Sequence, residues 1–448
     1  MNIPLDNLYH WIQNLAQHPV MLYVFRPHGS KDIFDLTTLE NYDQKGSSSL
    51  TPMVICHDQE PLDFANCDFD YDLDKLVKLI QHRNIGVDPT LINGIIEEYV
   101  FQYSNPELLS DFHPTWLNAL ESNDWTILLH SEINSYDVVQ FAAVGFYPVY
   151  YWSHAVISRD WYRFAPHDKR LKNRHAEKTF LIYCRDWTPN REYRLKFLDL
   201  VVQHDLTEYS RISTQHVNNQ QVHLKDYKIK NYQWSIDTGG ILSSIPENNT
   251  TASSSADYDA NDMTSTRVSV VLETVVDSKK IHLTEKILRP IACAHPFILA
   301  AGPGSLEYLR SYGFKTFGDF WDESYDQEPD MALRLEKIIL VMKQIQNLTD
   351  DDWQQIQSIA DYNQQHFFSE EFINQVTAEL TTNFNKAVDF CVENCGKNYW
   401  HWRKILRRNG LVKKFSTYLK SPWIHQTIKE LRQHRLRRSH NGSGPVVG

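Results

Sequence analysis

The amino-acid sequence predicts an α/β protein in which two open, mainly parallel sheets follow one another along the chain. Apolar runs of strand length alternate with helical patterns, which is typical of β-α units around a parallel sheet. The 448 residues suit two or three domains. Hydrophobic residues make up 42 % and charged residues 23 %, so the chain can bury a large core and is not disordered throughout. A ligand is expected in the cleft between the two domains, at the carboxyl ends of the strands.

The first domain is predicted to span residues 1–170. Four short apolar runs are its expected strands, and two longer amphipathic segments are its expected helices. The strands are predicted at 21–25, 53–56, 126–129 and 147–151, and the helices at 72–82 and 90–101.

The second domain is predicted to span residues 171–395, with a polar loop or insertion at about 239–266. That segment is rich in Ser, Thr and Asn, which favour loops. Strands are predicted at 179–183, 268–272 and 296–300, and helices at 190–204, 284–292, 305–311 and 331–346. Thr349 is expected to cap a further helix, because three Asp residues follow it at the positive helix end.

The remaining segment, residues 396–448, is predicted to be a basic helical tail. From residue 401 onward the sequence has 12 Lys or Arg and one acidic residue, Glu430. The whole chain, in contrast, has a formal net charge of −11. Basic residues at turn spacing with apolar ones are typical of helices that lie on anionic membranes. Contact with nucleic-acid backbone and packing on the acidic body of the protein are the alternatives.

The six cysteines and the N-terminal residues favour a cytoplasmic protein. No C-x-x-C pair occurs, so neither a disulfide framework nor a zinc site is expected. The sequence begins without a basic segment followed by an apolar one, so no secretory signal is predicted. No apolar run approaches the ~20 residues of a membrane helix, and any membrane contact is expected to be peripheral, at the inner face.

The segment 268–304 has the strongest indication of a binding site. Glu273 follows a buried strand, and Thr284 is expected to cap the next helix, with Glu285 and Lys286 in its first turn and Arg289 one turn later. A helix start favours anions. Lys286 could then contact a phosphate, and the planar guanidinium of Arg289 could donate two hydrogen bonds to it. Glu285 could accept hydrogen bonds from ribose hydroxyls. Alternatively, Thr284 is only a cap and Lys286 only neutralises Glu273 or Asp277.

This segment resembles the donor-site signature of the α1,3-fucosyltransferases, which are GT-B glycosyltransferases. Glu273-Thr274 stands where that family has Glu-Asn, and Thr284-Glu285-Lys286 matches its Thr-Glu-Lys. Residues 294–298 occupy the place of its Pro-containing strand. Upstream, Arg194 follows the strand at 180–184 as an Arg does in the family. The two matches cover roughly residues 178–312.

The resemblance implies two Rossmann-like domains, of which the first binds an acceptor glycan and the second a nucleotide sugar. Transfer would be inverting, and no bound metal or other cofactor is expected. Lys286 and Arg194 would bind the diphosphate, Glu285 the ribose and Glu273 the donor sugar. Thr274 replaces the family's Asn, and the Tyr before Thr-Glu-Lys is also replaced, so the donor stays open and GDP-fucose is one option.

Inverting transfer needs a base for the acceptor hydroxyl. Two glutamates follow predicted strands of the first domain, Glu60 and Glu132. Glu132 is preferred, because it precedes a basic segment at 159–163 by the spacing seen in the resembled family. His57 and His130 rank third, since histidine titrates near neutrality.

Two further histidines, His282 and His295, flank the donor motif. A structural role is the preferred interpretation for both, and contact with a phosphate stays open. Two other functions also stay open for the chain as a whole. One is a nonenzymatic structural or carbohydrate-binding protein with the same fold, and the other is a glycosyltransferase that acts on nucleic acid through its tail.

Overall fold

The structure is a computed structural model. It describes residues 5–18, 20–24, 34–35, 53–62, 126–143, 146–187, 191–218, 221–230, 232, 234, 236–237, 240–241, 255–276 and 280–393. The helices predicted at 72–82 and 90–101, the tail 396–448 and half of the predicted loop 239–266 lie outside these residues.

The first sheet contains all four strands predicted for the N-terminal half, each to within one residue at either end. Its strands are β1 (Met21–Val24), β2 (Phe34–Asp35), β3 (Met53–Cys56), β4 (Thr126–His130) and β5 (Phe146–Tyr150). Their order is β2-β1-β3-β4-β5. The short β2 is antiparallel to β1, and the other four strands are parallel.

Three described helices accompany this sheet: α1 (Leu5–Leu15), α2 (Tyr136–Ala143) and α3 (Ser153–Trp161). Leu8 and Ile12 lie one helical turn apart on α1 and are buried in the core. At the end of α3, Arg159 donates to the carbonyl oxygens of Phe367 and Phe368. This contact ties the first half of the chain to its C-terminal helices.

The second sheet is entirely parallel. It consists of β6 (Lys178–Cys184), β7 (Ser210–Thr214), β8 (Thr266–Leu272) and β9 (Phe297–Ala300), in the order β7-β6-β8-β9. Strand β7 follows β6 in the chain and lies on one side of it, whereas the next strand, β8, lies on the other side of β6. A crevice therefore opens at the carboxyl ends of β6 and β8, where ligands of such sheets bind.

The described helices of the second half are α4 (Tyr193–Gln203), α5 (Ala260–Thr264), α6 (Glu285–Ala292), α7 (Ser305–Ser311), α8 (Met331–Ile345), α9 (Asp350–Phe367) and α10 (Glu370–Glu393). Thr349 caps α9 in a reciprocal capping box with Asp352, as the sequence predicted. Within the described residues, no helix is both long enough and apolar enough to cross a bilayer.

Several elements lie where the sequence predicted none, among them α1, β2, α2, α3, β7 and α5. β7 reads as a polar segment because it is an edge strand whose inward positions include Ser210 and Thr214. α5 occupies the end of the predicted loop 239–266, and Asp259 caps it by accepting from two backbone N–H groups. Together the elements form an α/β protein with two sheets of mainly parallel strands, as predicted.

Candidate functional site

The carboxyl ends of the two sheets meet beside the start of α6. Ile133, in the loop after β4, exchanges two backbone hydrogen bonds with Ile281, at N···O distances of 3.1 and 3.0 Å. The indole of Trp152, just after β5, donates to the carbonyl oxygen of Leu283 over 2.9 Å. The candidate base and the predicted donor motif therefore lie on opposite sides of one short backbone bridge.

Glu273 is fully buried and holds the N-terminal cap of α6. One carboxylate oxygen accepts from the backbone N–H of Thr284 (3.0 Å) and the other from its hydroxyl (2.7 Å). The Thr284 oxygen in turn caps the helix by accepting from the N–H of Lys286. The two residues predicted to bind the donor are thus joined to each other, and together they fix where α6 begins.

Glu285 and Lys286 form an ion pair of 2.9 Å in the first turn of α6. The second carboxylate oxygen of Glu285 lies 3.7 Å from Nδ1 of His154. Burial raises the pKa of Glu285, but Lys286 and His154 outweigh it and hold the pKa below its ordinary value. The side chain of Lys286 remains 30 % exposed, so its ammonium group can reach a ligand.

The two predicted arginines are engaged within the fold. Arg289 is buried, lies over the Tyr183 ring, and donates through Nε to the Tyr162 hydroxyl. Its pKa is raised, because the neighbouring tyrosines and Glu285 outweigh its burial.

Arg194 is 3 % exposed and spans the crevice between β6 and β8. It donates to the carbonyl oxygens of Asp186, Leu272 and Glu273. This position agrees with the sequence match that placed Arg194 near the donor motif. The three carbonyls give the guanidinium a role in joining the strand ends, and its contact with the diphosphate stays a prediction.

Glu132 lies at the carboxyl end of β4, as predicted, and is 2 % exposed. It accepts from the N–H of Leu62 (2.6 Å) and from the Ser135 hydroxyl (2.5 Å), and it pairs with Lys280 at 3.1 Å. Burial raises its pKa, although Lys280 and Ser135 act in the opposite direction. A raised pKa suits a base, but three donors already occupy its oxygens.

Glu60 follows β3 and is partly exposed. Its charge acts on His57, whose pKa burial nevertheless lowers to about 4. His130 is also buried, and its pKa falls to about 3. Both histidines are therefore neutral at pH 7, and such low pKa values make them weak proton acceptors.

Asp58 is a buried carboxylate that the sequence reading did not single out. The hydroxyls of Tyr9 (2.9 Å) and Tyr151 donate to its two oxygens. Burial raises the pKa of Asp58, although the hydrogen bonds from both tyrosines act to lower it. Its backbone carbonyl accepts from Ser131 and Ser153. The sequence feature that could have identified Asp58 is its position directly after β3, in the same short segment as Glu60.

Two histidines meet between the strand ends and α6. The rings of His154 and His282 are nearly perpendicular, with centroids 5.4 Å apart. Nε2 of His154 lies 3.0 Å from the carbonyl oxygen of Gln59, and Nδ1 of His282 lies 3.2 Å from Oγ of Ser131. Segments after β3 and β4, helix α3 and the approach to α6 thus converge on one point.

In the part of the chain that the structure describes, no three His, Cys, Asp or Glu side chains are grouped so that they could hold a metal ion. No family model, curated protein or solved structure with which the chain was compared matches it. The resemblance to α1,3-fucosyltransferases therefore depends on the motif residues themselves.

Proposed function

We propose that this protein is a GT-B glycosyltransferase that moves a sugar from a nucleotide-sugar donor to a hydroxyl of an acceptor glycan. The observation that carries the proposal is the position of Lys286. It lies in the first turn of the capped helix α6, directly beside the bridge that joins the carboxyl ends of the two sheets. Ligands of parallel sheets bind at such ends, and helix starts favour phosphate groups.

Lys286 is the cation of the donor motif best able to contact a diphosphate. Its side chain is 30 % exposed, whereas Arg194 and Arg289 are at most 7 % exposed. Glu285 orients the ammonium group through their 2.9 Å ion pair. Glu273 acts one step further back, because it holds the cap residue Thr284 that sets the first turn.

In the proposed reaction the acceptor hydroxyl oxygen attacks the anomeric carbon of the donor, and a base at the carboxyl ends of the strands takes the hydroxyl proton. The bond from that carbon to the diphosphate oxygen breaks, and the electron pair leaves with the diphosphate. Lys286 and the positive end of α6 stabilise the charge that develops there. Inversion at the anomeric carbon follows from this single displacement. The donor can be GDP-fucose or another nucleotide sugar.

Calorimetric titration with GDP, UDP, CDP and ADP tests the proposal. We expect one diphosphate to bind more tightly than the others and thereby to identify the donor base. If none binds, the proposal is wrong. Binding of glycans without any nucleotide would instead support the nonenzymatic, carbohydrate-binding alternative.

A further inference from the structure

His282 and His295 are equally buried but differ in their hydrogen bonds. They are 2 % and 1 % exposed. His295 uses both ring nitrogens: Nε2 faces the carbonyl oxygen of Thr266 at 3.1 Å, and Nδ1 faces Oγ of Ser269 at 2.8 Å. In His282, Nδ1 faces Ser131, but Nε2 has no hydrogen-bond partner among the residues that the structure describes. A buried polar atom without a partner is costly, and a ligand can explain it.

The contact with Ser131 fixes which nitrogen of His282 has the proton. Ser131 has one hydroxyl proton, and it donates this proton to the carbonyl oxygen of Asp58 over 2.9 Å. Its oxygen must then accept from Nδ1–H of His282. In the neutral ring, Nε2 is left with a free lone pair. Burial, His154 and the cations Lys280 and Lys286 all lower the pKa of His282, so the ring is neutral at pH 7.

His282 belongs to the same short segment as Lys286, the proposed diphosphate contact, whose charge acts on the His282 ring. The residue lies next to Ile281, in the bridge between the sheets, and two residues before the cap of α6. Its ring packs edge-on against His154, whose Nδ1 faces Glu285. The residue that binds the leaving group and the unpartnered nitrogen thus belong to one short segment, at the end of the first sheet.

We infer that Nε2 of His282 is the base that removes the proton from the acceptor hydroxyl, an inference that rests on the proposed glycosyl transfer. As the acceptor oxygen bonds to the anomeric carbon, its proton moves to Nε2 and the diphosphate leaves with the electron pair of the broken bond. The ring becomes an imidazolium while negative charge develops on the diphosphate. That charge offsets the repulsion which His282 would otherwise experience from Lys280 and Lys286.

Glu132 is less suited to this role, although the sequence favoured it. Its oxygens accept from Leu62 and Ser135 and pair with Lys280. A proton taken up there would replace or weaken at least one of these contacts. Nε2 of His282 has no such contact to lose among the described residues.

The protonation state can be tested without any substrate. The protein labelled with ¹⁵N-histidine, together with the His282→Asn and His295→Asn variants, allows the ring nitrogens of both residues to be assigned by NMR. At pH 7 we expect opposite tautomers, with the proton on Nδ1 in His282 and on Nε2 in His295, where a carbonyl must accept. A proton on Nε2 of His282 would overturn the inference.

The catalytic role requires a second measurement. His282→Asn keeps an amide donor near the Nδ1 position but removes the Nε2 lone pair, and His282→Gln is the second variant if the first does not fold. The reaction is hydrolysis of nucleotide sugars, starting with GDP-fucose, in which water replaces the acceptor. We expect a ~10²–10⁴-fold loss of kcat, with affinity for the nucleoside diphosphate within about twofold of the unmodified protein.

The outcomes separate this inference from the proposed function. His175→Asn changes an exposed histidine whose Nδ1 faces its neighbour Asn173, and it should hydrolyse the donor at the original rate. Unchanged hydrolysis by His282→Asn, with a large loss in Glu132→Gln or Glu60→Gln, would overturn the role of His282 and leave the proposed function intact. Failure of the unmodified protein to bind any nucleoside diphosphate would overturn both.

Discussion

Lys280 Nζ lies 3.1 Å from Oε1 of Glu132 and thereby connects the loop after β4 with the segment that leads into α6. The same ammonium group contacts Asp137 at 2.9 Å and donates to the carbonyl oxygen of Leu62 over 2.6 Å. These contacts raise the pKa of Lys280 despite its burial. A buried carboxylate and a nearly buried ammonium group therefore hold the two sheet ends in register.

Removing one member of this pair should destabilise the protein more than removing both. Lys280→Met leaves Glu132 charged and buried without its cation, which costs about 3–5 kcal/mol. The double variant Lys280→Met, Glu132→Gln should recover a substantial part of that loss. Urea unfolding at pH 7 of the unmodified protein, Lys280→Met, Glu132→Gln and the double variant gives the four free energies of this cycle. Additive effects of the two substitutions would show that the pair contributes nothing to stability.

Lys286→Ala should weaken binding of the preferred nucleoside diphosphate. A hydrogen bond to a charged group is worth about 1.5–3 kcal/mol, which corresponds to roughly 10- to 150-fold in affinity. The free energy of unfolding should change little, because the Lys286 side chain is partly exposed and Glu285 retains its contact with His154. Calorimetry and urea unfolding measure the two effects.

The matched control for Lys286 is Lys337→Ala. Lys337 lies on helix α8 and forms a partly exposed ion pair with Glu328, which the substitution removes. It should leave nucleotide affinity unchanged. If Lys286→Ala instead lowers stability strongly and leaves affinity unchanged, Lys286 is a structural partner of Glu285.

Arg194→Met should destabilise the fold by at least ~2 kcal/mol. The substitution removes the Arg194 donor from the carbonyl oxygens of Asp186 and Leu272, and each unsatisfied buried acceptor costs about 1–3 kcal/mol. The carbonyl oxygen of Glu273 keeps the Tyr193 hydroxyl as a donor. Arg194→Lys should rescue only part of the loss, since an ammonium group lacks the planar fork.

Arg191→Lys is the comparison for Arg194, because Arg191 is partly exposed and pairs with Asp186 at the surface of the same turn. Its effect should stay below ~1 kcal/mol. An Arg194→Met protein with normal stability but weakened nucleotide binding would favour the diphosphate contact that the sequence predicted.

Stability should fall as the pH decreases below about 6.5. Burial lowers the pKa of His57 to about 4 and that of His130 and His295 to about 3. Between those values and 6.5 the unfolded chain binds protons that the folded chain does not, so each histidine removes ~1.4 kcal/mol per pH unit. Asp58 and Glu132 oppose this trend, because burial raises their pKa.

His295→Gln provides the test of this pH dependence. The amide keeps a donor toward Thr266 but cannot be protonated in the unfolded chain. Urea unfolding at pH 7, 6 and 5 should show a shallower decline for the variant, by up to ~1.4 kcal/mol per pH unit. An identical decline would mean that His295 does not titrate on unfolding.

The sequence by itself determined where most strands lie and where several helices begin. β4 and β8 are buried apolar runs within the parallel sheets. Thr284 and Thr349 cap helices through hydrogen bonds to residues two or three positions away. These features depend on local chemistry, which a short stretch of sequence contains. β7 escaped prediction because two of its buried positions, Ser210 and Thr214, are polar, so the strand is not an apolar run.

Only the tertiary structure decided which of the candidate groups already have partners. Glu273 and Arg194 appear in the sequence as free charges, but the fold gives one the cap of α6 and the other three strand-end carbonyls. His282 appeared structural, yet among the residues that the structure describes just one of its nitrogens has a partner, a serine 151 positions earlier in the chain. Hydrogen bonds over such separations depend on how distant segments pack, and a local pattern of residues does not specify that packing.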